Sequence, residues 1–374
     1  MNKMSILIQL SIPLLVLVTG CSTNEETGED AVRLPVDTLE VIAGIGVEVG
    51  DSTNTFAAIA DVRIDERGRV LVLDEVEACI KVFDSEGNYI QQVSRRGEGP
   101  GELDDPVGLF VMPDGRVGVV DQGKHGYVVF NDSLRFHEEI GLWATNSPYH
   151  VTPISNDEIA ACRYDDRARG EFDVLSRTVA VYSWGEQDPD TVLWQDSLET
   201  TFADAIDNLS MLLDYALFNS ISTCSDGNGT IYFAPADPHV YEITGWDSTG
   251  TVVLEISREL EPVEKTQEDI ESETFYANSY LQRISTGPVP FEYEPAPYRI
   301  MVDELGFGPD GNLWVKLGTH NETFFDIYDL NGRLLRHAVF PTDGWSWETE
   351  VTPHGILAWE EDPLSGYQVL YLLE

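Results

Sequence analysis

Ala60-Asp-Val-Arg-Ile64, Val70-Leu-Val-Leu-Asp74, Cys79-Ile-Lys-Val-Phe-Asp84 and Tyr89-Ile-Gln-Gln-Val-Ser94 are four short runs rich in apolar residues. They fill the stretch 59–102 and are separated by the tight turns Glu66-Arg67-Gly68-Arg69 and Ser85-Glu86-Gly87-Asn88. Runs of five or six residues bounded by glycine-containing turns predict antiparallel strands. A glycine-rich exit follows, Arg96-Gly97-Glu98-Gly99-Pro100-Gly101-Glu102-Leu103.

The unit recurs. Ile64–Asp74 aligns with Val111–Asp121, their turn glycines Gly68 and Gly115 lying 47 residues apart. Thr223–Phe233 and Gly306–Val315 repeat the strand, Asp-Gly turn and strand, and Val351–Trp359 is a weaker copy. Asp-Gly suits these turns because tight hairpins need positive φ at a central residue. Second hairpins follow in Phe325–Leu335 and Val240–Val253. Four antiparallel strands in about 40–50 residues predict a propeller blade, whereas a β-sandwich would not favour one strand order repeatedly.

Blades are expected at 59–96, 106–143, 148–196 (with a long acidic middle), 217–257 and 299–340, with a sixth from near Trp347. The sixth has only three strands before Glu374. Asp37–Ile42, followed by Ala43-Gly44-Ile45-Gly46, supplies a spare strand, so the N-terminal strand is expected to complete the last blade and close the ring. Closure hides sheet edges that would otherwise invite aggregation. The predicted fold class is all-β, a six-bladed β-propeller occupying 37–374 with short helical insertions at about 198–217 and 258–298. Leu198–Leu217 and Pro262–Gln282 carry helix-like spacing, the latter leading into the aromatic, Pro-rich Pro288–Tyr298. Such insertions either contact a partner or pack on the blade rims.

Charge narrows the partners. The 374 residues hold 22 Lys and Arg against 66 Asp and Glu, a formal net charge of −44. No basic face can neutralise phosphates, which argues against nucleic acid, and an anionic membrane would repel the folded body. The acidity recurs in turns such as Asp165-Asp166, Glu268-Asp269 and Glu360-Glu361-Asp362, as a solvated surface would. The alternative is that some carboxylates collect a divalent cation such as calcium; no other cofactor is expected.

The first residues give an address. Met1-Asn2-Lys3 precedes the apolar run Ser5–Val18, which fits a secretory leader better than a membrane span. Val18-Thr19-Gly20-Cys21 resembles the lipobox of bacterial lipoproteins, although Val18 stands where Leu is commoner. The resemblance implies a signal peptide over 1–20, lipidation of Cys21 and a membrane anchor through that lipid, since several acyl chains anchor stably. Residues 21–36 then form an acidic tether. Ser22 after the cysteine resembles lipoproteins sorted away from the inner membrane, implying a bacterial cell envelope location, on the outer membrane or facing the periplasm if there are two membranes.

With its leader and the run Arg96–Leu103, the chain resembles bacterial six-bladed β-propeller lipoproteins related to NHL-repeat proteins. In these a Gly-x-Gly-Pro-Gly-Glu-(Phe/Leu) run joins one blade to the next. The first two blades match well, and blades three and four lack the glycine exit. The resemblance implies the fold but little chemistry, because such propellers include scaffolds, ligand binders and a few lyases or hydrolases. Gly97, Gly99 and Gly101 suit a sharp blade joint; such a nest could also hold an anion, but Glu98 and Glu102 beside it favour the joint.

Catalytic motifs are lacking. None of the seven histidines (His125, His137, His150, His239, His320, His337 and His354) forms a metalloprotease pair, and no Gly-x-Ser-x-Gly, Walker or calcium-loop pattern is present. Cys79, Cys162 and Cys224 are expected as buried free thiols, Cys162 with Cys224 being the pair to test for a disulfide. A propeller's usual site is the funnel on its axis. There Asp74, Asp121, Arg163, His320 and Glu360 are expected at strand ends, with His150 and Arg299 at strand starts; the alternative is that they are solvated or cap turns. No catalytic residue is assigned. The leading expectation is a membrane-tethered binding or scaffold module for a protein or small-molecule ligand. The alternatives are a metal-assisted lyase or hydrolase using the funnel, and a purely structural envelope lipoprotein.

Overall fold

The computed structural model describes residues 34–47, 50, 52–142, 149–169, 172–201, 221–284, 293–342, 347–361 and 368–374. The leader and Cys21 lie outside the described residues, as does most of the expected 198–217 insertion. Six antiparallel sheets follow one another in the compact unit Pro35–Glu374. Blade 1 is Ile59–Ile64, Val70–Asp74, Cys79–Phe83 and Tyr89–Val93, and blade 2 is Pro106–Val111, Val117–Asp121, Gly126–Phe130 and Phe136–Gly141. Blade 3 is Tyr149–Pro153, Glu158–Arg169, Phe172–Ser183 and Thr191–Thr201. Blade 4 is Ser222–Ser225, Thr230–Ala234, Tyr241–Asp247 and Val252–Arg258. Blade 5 is Val302–Phe307, Leu313–Leu317, Thr323–Tyr328 and Leu334–Phe340, and blade 6 begins with Glu348–Thr352, Gly355–Glu361 and Gln368–Leu373. The expected six-bladed β-propeller is present.

The second and third strands of blades 1 and 2 are buried along their whole length, whereas the outer strands alternate with solvent. This follows from blades stacking face to face, which covers both surfaces of the middle strands. The core therefore lies between blades. Leu71, Leu73, Val117 and Val119 pack where blades 1 and 2 meet, and Val70, Val72, Leu370 and Leu372 where blades 6 and 1 meet.

Five aspartates have a local role at the heads of hairpin turns. Asp65 Oδ1 accepts the Arg67 and Arg69 N–H groups at 2.9 and 3.0 Å. Asp84, Asp226, Asp247 and Asp329 accept in the same way from the residues two and four positions on. These backbone bonds hold the Asp84 and Asp329 carboxyls below the usual carboxylate range, and at Asp247 the Thr249 hydroxyl leads the same effect. An ionised aspartate at the head of the hairpin satisfies two N–H groups that the tight turn leaves over.

Ring closure differs in detail from the single strand read over Asp37–Ile42. The chain breaks at Leu39-Glu40 and serves two blades. Val36–Thr38 pairs in parallel with Leu334–Phe340 at the edge of blade 5. Val41–Ile45 pairs antiparallel with Gln368–Leu373 and completes blade 6. Leu39, 6% exposed, is the reason: it packs with Trp314, Phe325 and Leu373 between the two blades. Gly44 thus sits inside the closing strand, opposite Tyr371, and not in a glycine exit.

The reading of blade 3 is also revised. The acidic middle of blade 3 continues as strand, with Cys162↔Val179 and Arg169↔Phe172 in register, and 198–201 belongs to its outer strand. The second insertion does contain a helix, α1 (Gln267–Ile284). Among the described residues no helix is long and apolar enough to cross a membrane. Cys79, Cys162 and Cys224 are buried free thiols, and burial pushes the first two up to about 12.

Candidate functional site

The glycine joint after blade 1 is filled by its own chain. Glu102 Oε2 accepts the Gly99 N–H at 2.9 Å, and Oε1 takes Arg95 Nε at 2.8 Å. A Cβ on Gly97 would stand 2.1 Å from that carboxylate. The run is a blade joint whose nest already holds an internal anion.

Several residues read as funnel candidates turn out to brace single blades. Asp74, fully buried, accepts the Ala57 and Glu77 N–H groups at 2.9 Å each and lies 3.7 Å from buried Lys81. Asp121, equally buried, accepts the N–H groups of Asp104, Asp105 and Lys124. Neither carboxylate is left for a ligand. Arg163 stands opposite Thr178 in blade 3 and Glu360 opposite Val369 in blade 6, both half-buried.

The axis itself is lined from the innermost strands, as inward-facing residues two apart require. Arg63 Nη1 bridges its neighbour Asp61 at 2.6 Å and Glu350 of blade 6 at 2.7 Å. Asp61 Oδ2 accepts the Leu109 N–H of blade 2 at 2.7 Å, and Thr152 and Thr223 hydroxyls link blades 3 and 4 at 2.9 Å. Ser222 accepts from the Leu305 N–H at 2.7 Å, and Thr349 donates to Glu304. Lys316 Nζ pairs with Asp303 at 2.7 Å. Asp61, Asp303, Glu304, Glu350 and Glu348, the last at the start of the innermost strand of blade 6, thus share the axis with Arg63 and Lys316. Protein surrounds them although water still reaches the channel, so burial pushes the Asp61, Glu304 and Glu348 carboxyls up, and Glu350 up to about 7. His150, on blade 3, is pushed down to about 4 by burial and then by the Arg63 charge, and so is neutral near pH 7. Among the described residues no three His, Cys, Asp or Glu side chains are placed to hold a metal ion.

Arg299 belongs elsewhere. Its Nε and Nη2 reach Asp269 Oδ2 and Oδ1 at 2.6 and 3.0 Å, and Nη1 reaches Asn321 Oδ1 at 2.8 Å and the His320 carbonyl at 3.2 Å. Asp269 also closes the start of α1: it accepts the Thr266 N–H at 2.8 Å, and Thr266 Oγ accepts its N–H at 3.2 Å. This capping box, doubled by a bidentate guanidinium, pins α1 to blade 5. Burial raises the Asp269 carboxyl, but the Arg299 and Thr266 hydrogen bonds outweigh it and hold it below the usual 3.8. A depressed carboxyl stabilises the fold above its unfolded value, and that stabilisation disappears as the pH falls through the folded value. We expect Asp269→Asn to cost about 1.5–3 kcal/mol, read as faster amide exchange in α1, and wild-type α1 to loosen only below about pH 4. Equal α1 protection in both proteins would contradict this.

The pinned segment covers one wall of a cavity of about 470 Å³ between blades 4 and 5. Leu260, Val263, Leu317 and Phe324 are apolar in its lining, and Arg258, Asp326 and His337 are polar. Asp326, 1% exposed, sits in the middle of the apolar strand Thr323–Tyr328. It accepts from His337 Nδ1 at 2.7 Å, from the Tyr241 hydroxyl at 3.1 Å and from Arg258 Nη1. The Tyr241 and Tyr328 hydroxyls lie 2.8 Å apart, and Arg258 stacks 5.3 Å from the Tyr241 ring centroid. His320 lies parallel to Phe324 at 4.3 Å, and the Phe324 ring is 5.2 Å from that of His337. Burial lowers the His320 basicity more than Asp326 raises it, and burial pushes both tyrosines up. Donors from both blades converge on this one buried carboxylate, the Tyr328 hydroxyl among them at 3.5 Å, and hold the side chains around it in place.

The structure thus brings His320 into this cavity with three residues that sequence reasoning missed: Arg258, Asp326 and His337. One signal was available. A carboxylate inside Phe325-Asp326-Ile327-Tyr328 must be buried, and a buried carboxylate needs partners.

The DUF5128 family model, a 6-bladed beta-propeller, matches residues 38–169. That segment runs from the N-terminal strands through blades 1 and 2 into blade 3. No curated protein matches the chain. Among solved structures, an exported protein (so designated) of Bacteroides fragilis NCTC 9343 is 14% identical, with 90% of this chain and 95% of that one covered at a TM-score of 0.51. A member of the DUF4221 family from Bacteroides vulgatus is 9% identical, with 90% and 98% covered and a TM-score of 0.47. Virginiamycin B lyase of Staphylococcus aureus is 10% identical, with 90% and 99% covered and a TM-score of 0.44. What the Bacteroides fragilis protein shares with this chain is the fold.

Proposed function

We propose that the protein is an exported β-propeller, tethered to the cell envelope through a lipid on Cys21, that binds a small ligand in the cavity between blades 4 and 5. One observation carries the reading: a cavity of about 470 Å³ combines an apolar wall with the prearranged Arg258–Asp326–His337 group. Ligand sites are concave, largely apolar and served by a few well-placed polar groups. The exported Bacteroides neighbour fits this address. Helix α1, pinned beside the cavity, presents Phe275 and Tyr276 to solvent and extends the surface available to a partner.

Saturation-transfer NMR with a set of small aromatic and aliphatic fragments, on the full chain, tests the site. Fragments should bind the wild type, and Leu260→Trp, which crowds the apolar wall of the cavity, should weaken them; binding indifferent to Leu260→Trp would refute the site. Cys21→Ser should move the protein from the detergent phase to the aqueous phase, because the anchoring chains are lost. Unchanged partitioning would refute the tether.

A further inference from the structure

We propose that the cavity between blades 4 and 5 hydrolyses small acyl esters, with His337 as the general base that activates water. The inference rests on the cavity being the ligand site and names its chemistry.

The geometry supplies the parts. Asp326 accepts from Arg258 and Tyr241 as well as from His337, so it serves as the acceptor and Nδ1 as the donor of the His337 contact. The opposite ring nitrogen, Nε2, therefore carries a lone pair, and it has no hydrogen-bond partner among the described residues. A buried carboxylate holding one tautomer of a cavity-lining imidazole is the arrangement that makes histidine an effective base. Arg258 contacts Asp326 and Tyr328 through Nη1 alone, which leaves its other N–H groups for a developing oxyanion. The Thr319 hydroxyl is bonded to His320 Nδ1 at 3.2 Å rather than to His337, so the base His337 is left to activate water. Leu260, Val263, Leu317 and Phe324 form the wall against which an apolar acyl chain packs.

The steps balance with water as the only co-reactant. As the water oxygen bonds to the acyl carbon, one of its protons passes to His337 Nε2 and the carbonyl π pair becomes an oxyanion facing Arg258. Collapse re-forms the carbonyl and breaks the acyl C–O bond. The imidazolium then returns its proton to the departing alkoxide, giving acid and alcohol and restoring neutral His337. An ester suits this cavity better than an amide, because an alkoxide leaves with far less help from a proton donor than an amide nitrogen does.

His337 is the catalytic residue and Asp326 a positioning residue. The experiment uses the full chain with 4-nitrophenyl butyrate as substrate and N-(4-nitrophenyl)butyramide as its slow analogue. Saturable hydrolysis is expected, with kcat about 100-fold lower in His337→Gln and KM little changed. Added imidazole should restore turnover to His337→Ala, which a merely structural histidine would not allow. Asp326→Asn should lower kcat with KM little changed and should not respond to imidazole. Analogue binding seen by saturation-transfer NMR without ester turnover, or turnover unaffected in His337→Gln, would overturn the catalytic inference and leave the binding reading standing. Absence of both binding and turnover would overturn the inference and count against the binding reading for this ligand class.

Discussion

Deleting Gln368–Glu374 is expected to abolish cooperative folding of the whole ring. The strand Gln368–Leu373 lies between Gly355–Glu361 and the N-terminal Val41–Ile45, so its loss strands two sheet edges at once. Leu370 is fully buried and Leu372 and Leu373 nearly so. Leu370 and Leu372 pack against blade 1, and Leu373 packs against blade 5. Removing one buried leucine side chain costs about 2–5 kcal/mol, so losing three consumes the roughly 5–15 kcal/mol that a domain has available. The Gln368 side chain also accepts the buried Ile59 N–H at 2.6 Å, a bond between residues 309 positions apart in sequence. Urea unfolding followed by circular dichroism should show no sharp transition in the truncated chain. The milder Leu370→Ala should stay folded and lose about 2–5 kcal/mol. A truncated chain with a wild-type midpoint would refute this account of closure.

Arg63→Ala should be the most damaging single change on the axis, and its cost should grow with pH. Arg63 joins blade 1 to blade 6 through Glu350 and also holds Asp61. Removing one member of a buried pair typically costs about 3–5 kcal/mol; the Arg63 side chain keeps 22% of its surface in channel water, which places the loss at about 3 kcal/mol. The sign of the pH dependence follows from Glu350. Burial lifts its carboxyl to about 7 even though Arg63 opposes the rise. A carboxyl raised above its unfolded value of about 4.5 contributes its full stabilisation below that pH and loses it as the pH passes about 7. Without Arg63 the folded value climbs further, so the variant's melting temperature should fall more steeply than that of the wild type between about pH 5 and 8. Parallel melting curves across that range would refute the proposed coupling.

What could be read along the chain was local. The hairpins of blade 1 repeat at Gly115, Gly227 and Gly311 because each needs positive φ beside a strand pair, and that requirement is written within a few residues. The missing strand of blade 6 was legible for the same reason, as one strand too few at one end and one too many at the other. The division of that spare strand at Leu39 was not, because it depends on a slot formed by Trp314, Phe325 and Leu373. Asp74 and Asp121 illustrate the limit for the site. Both end matching strands, as expected, but whether a strand-end carboxylate faces a ligand or caps a neighbouring loop depends on backbone N–H groups up to 17 residues away.

By itself, then, the sequence determined the repeating unit, the number of blades and the need for the two ends to meet, since hairpin turns and strand periodicity act over short distances. Only the tertiary structure decided that Arg258 of blade 4 and His337 of blade 5 converge on Asp326, and that Arg63 reaches Glu350 across the closure. Those meetings join residues from 11 to 287 positions apart. Blade stacking brings them together, and no local pattern records which faces will touch.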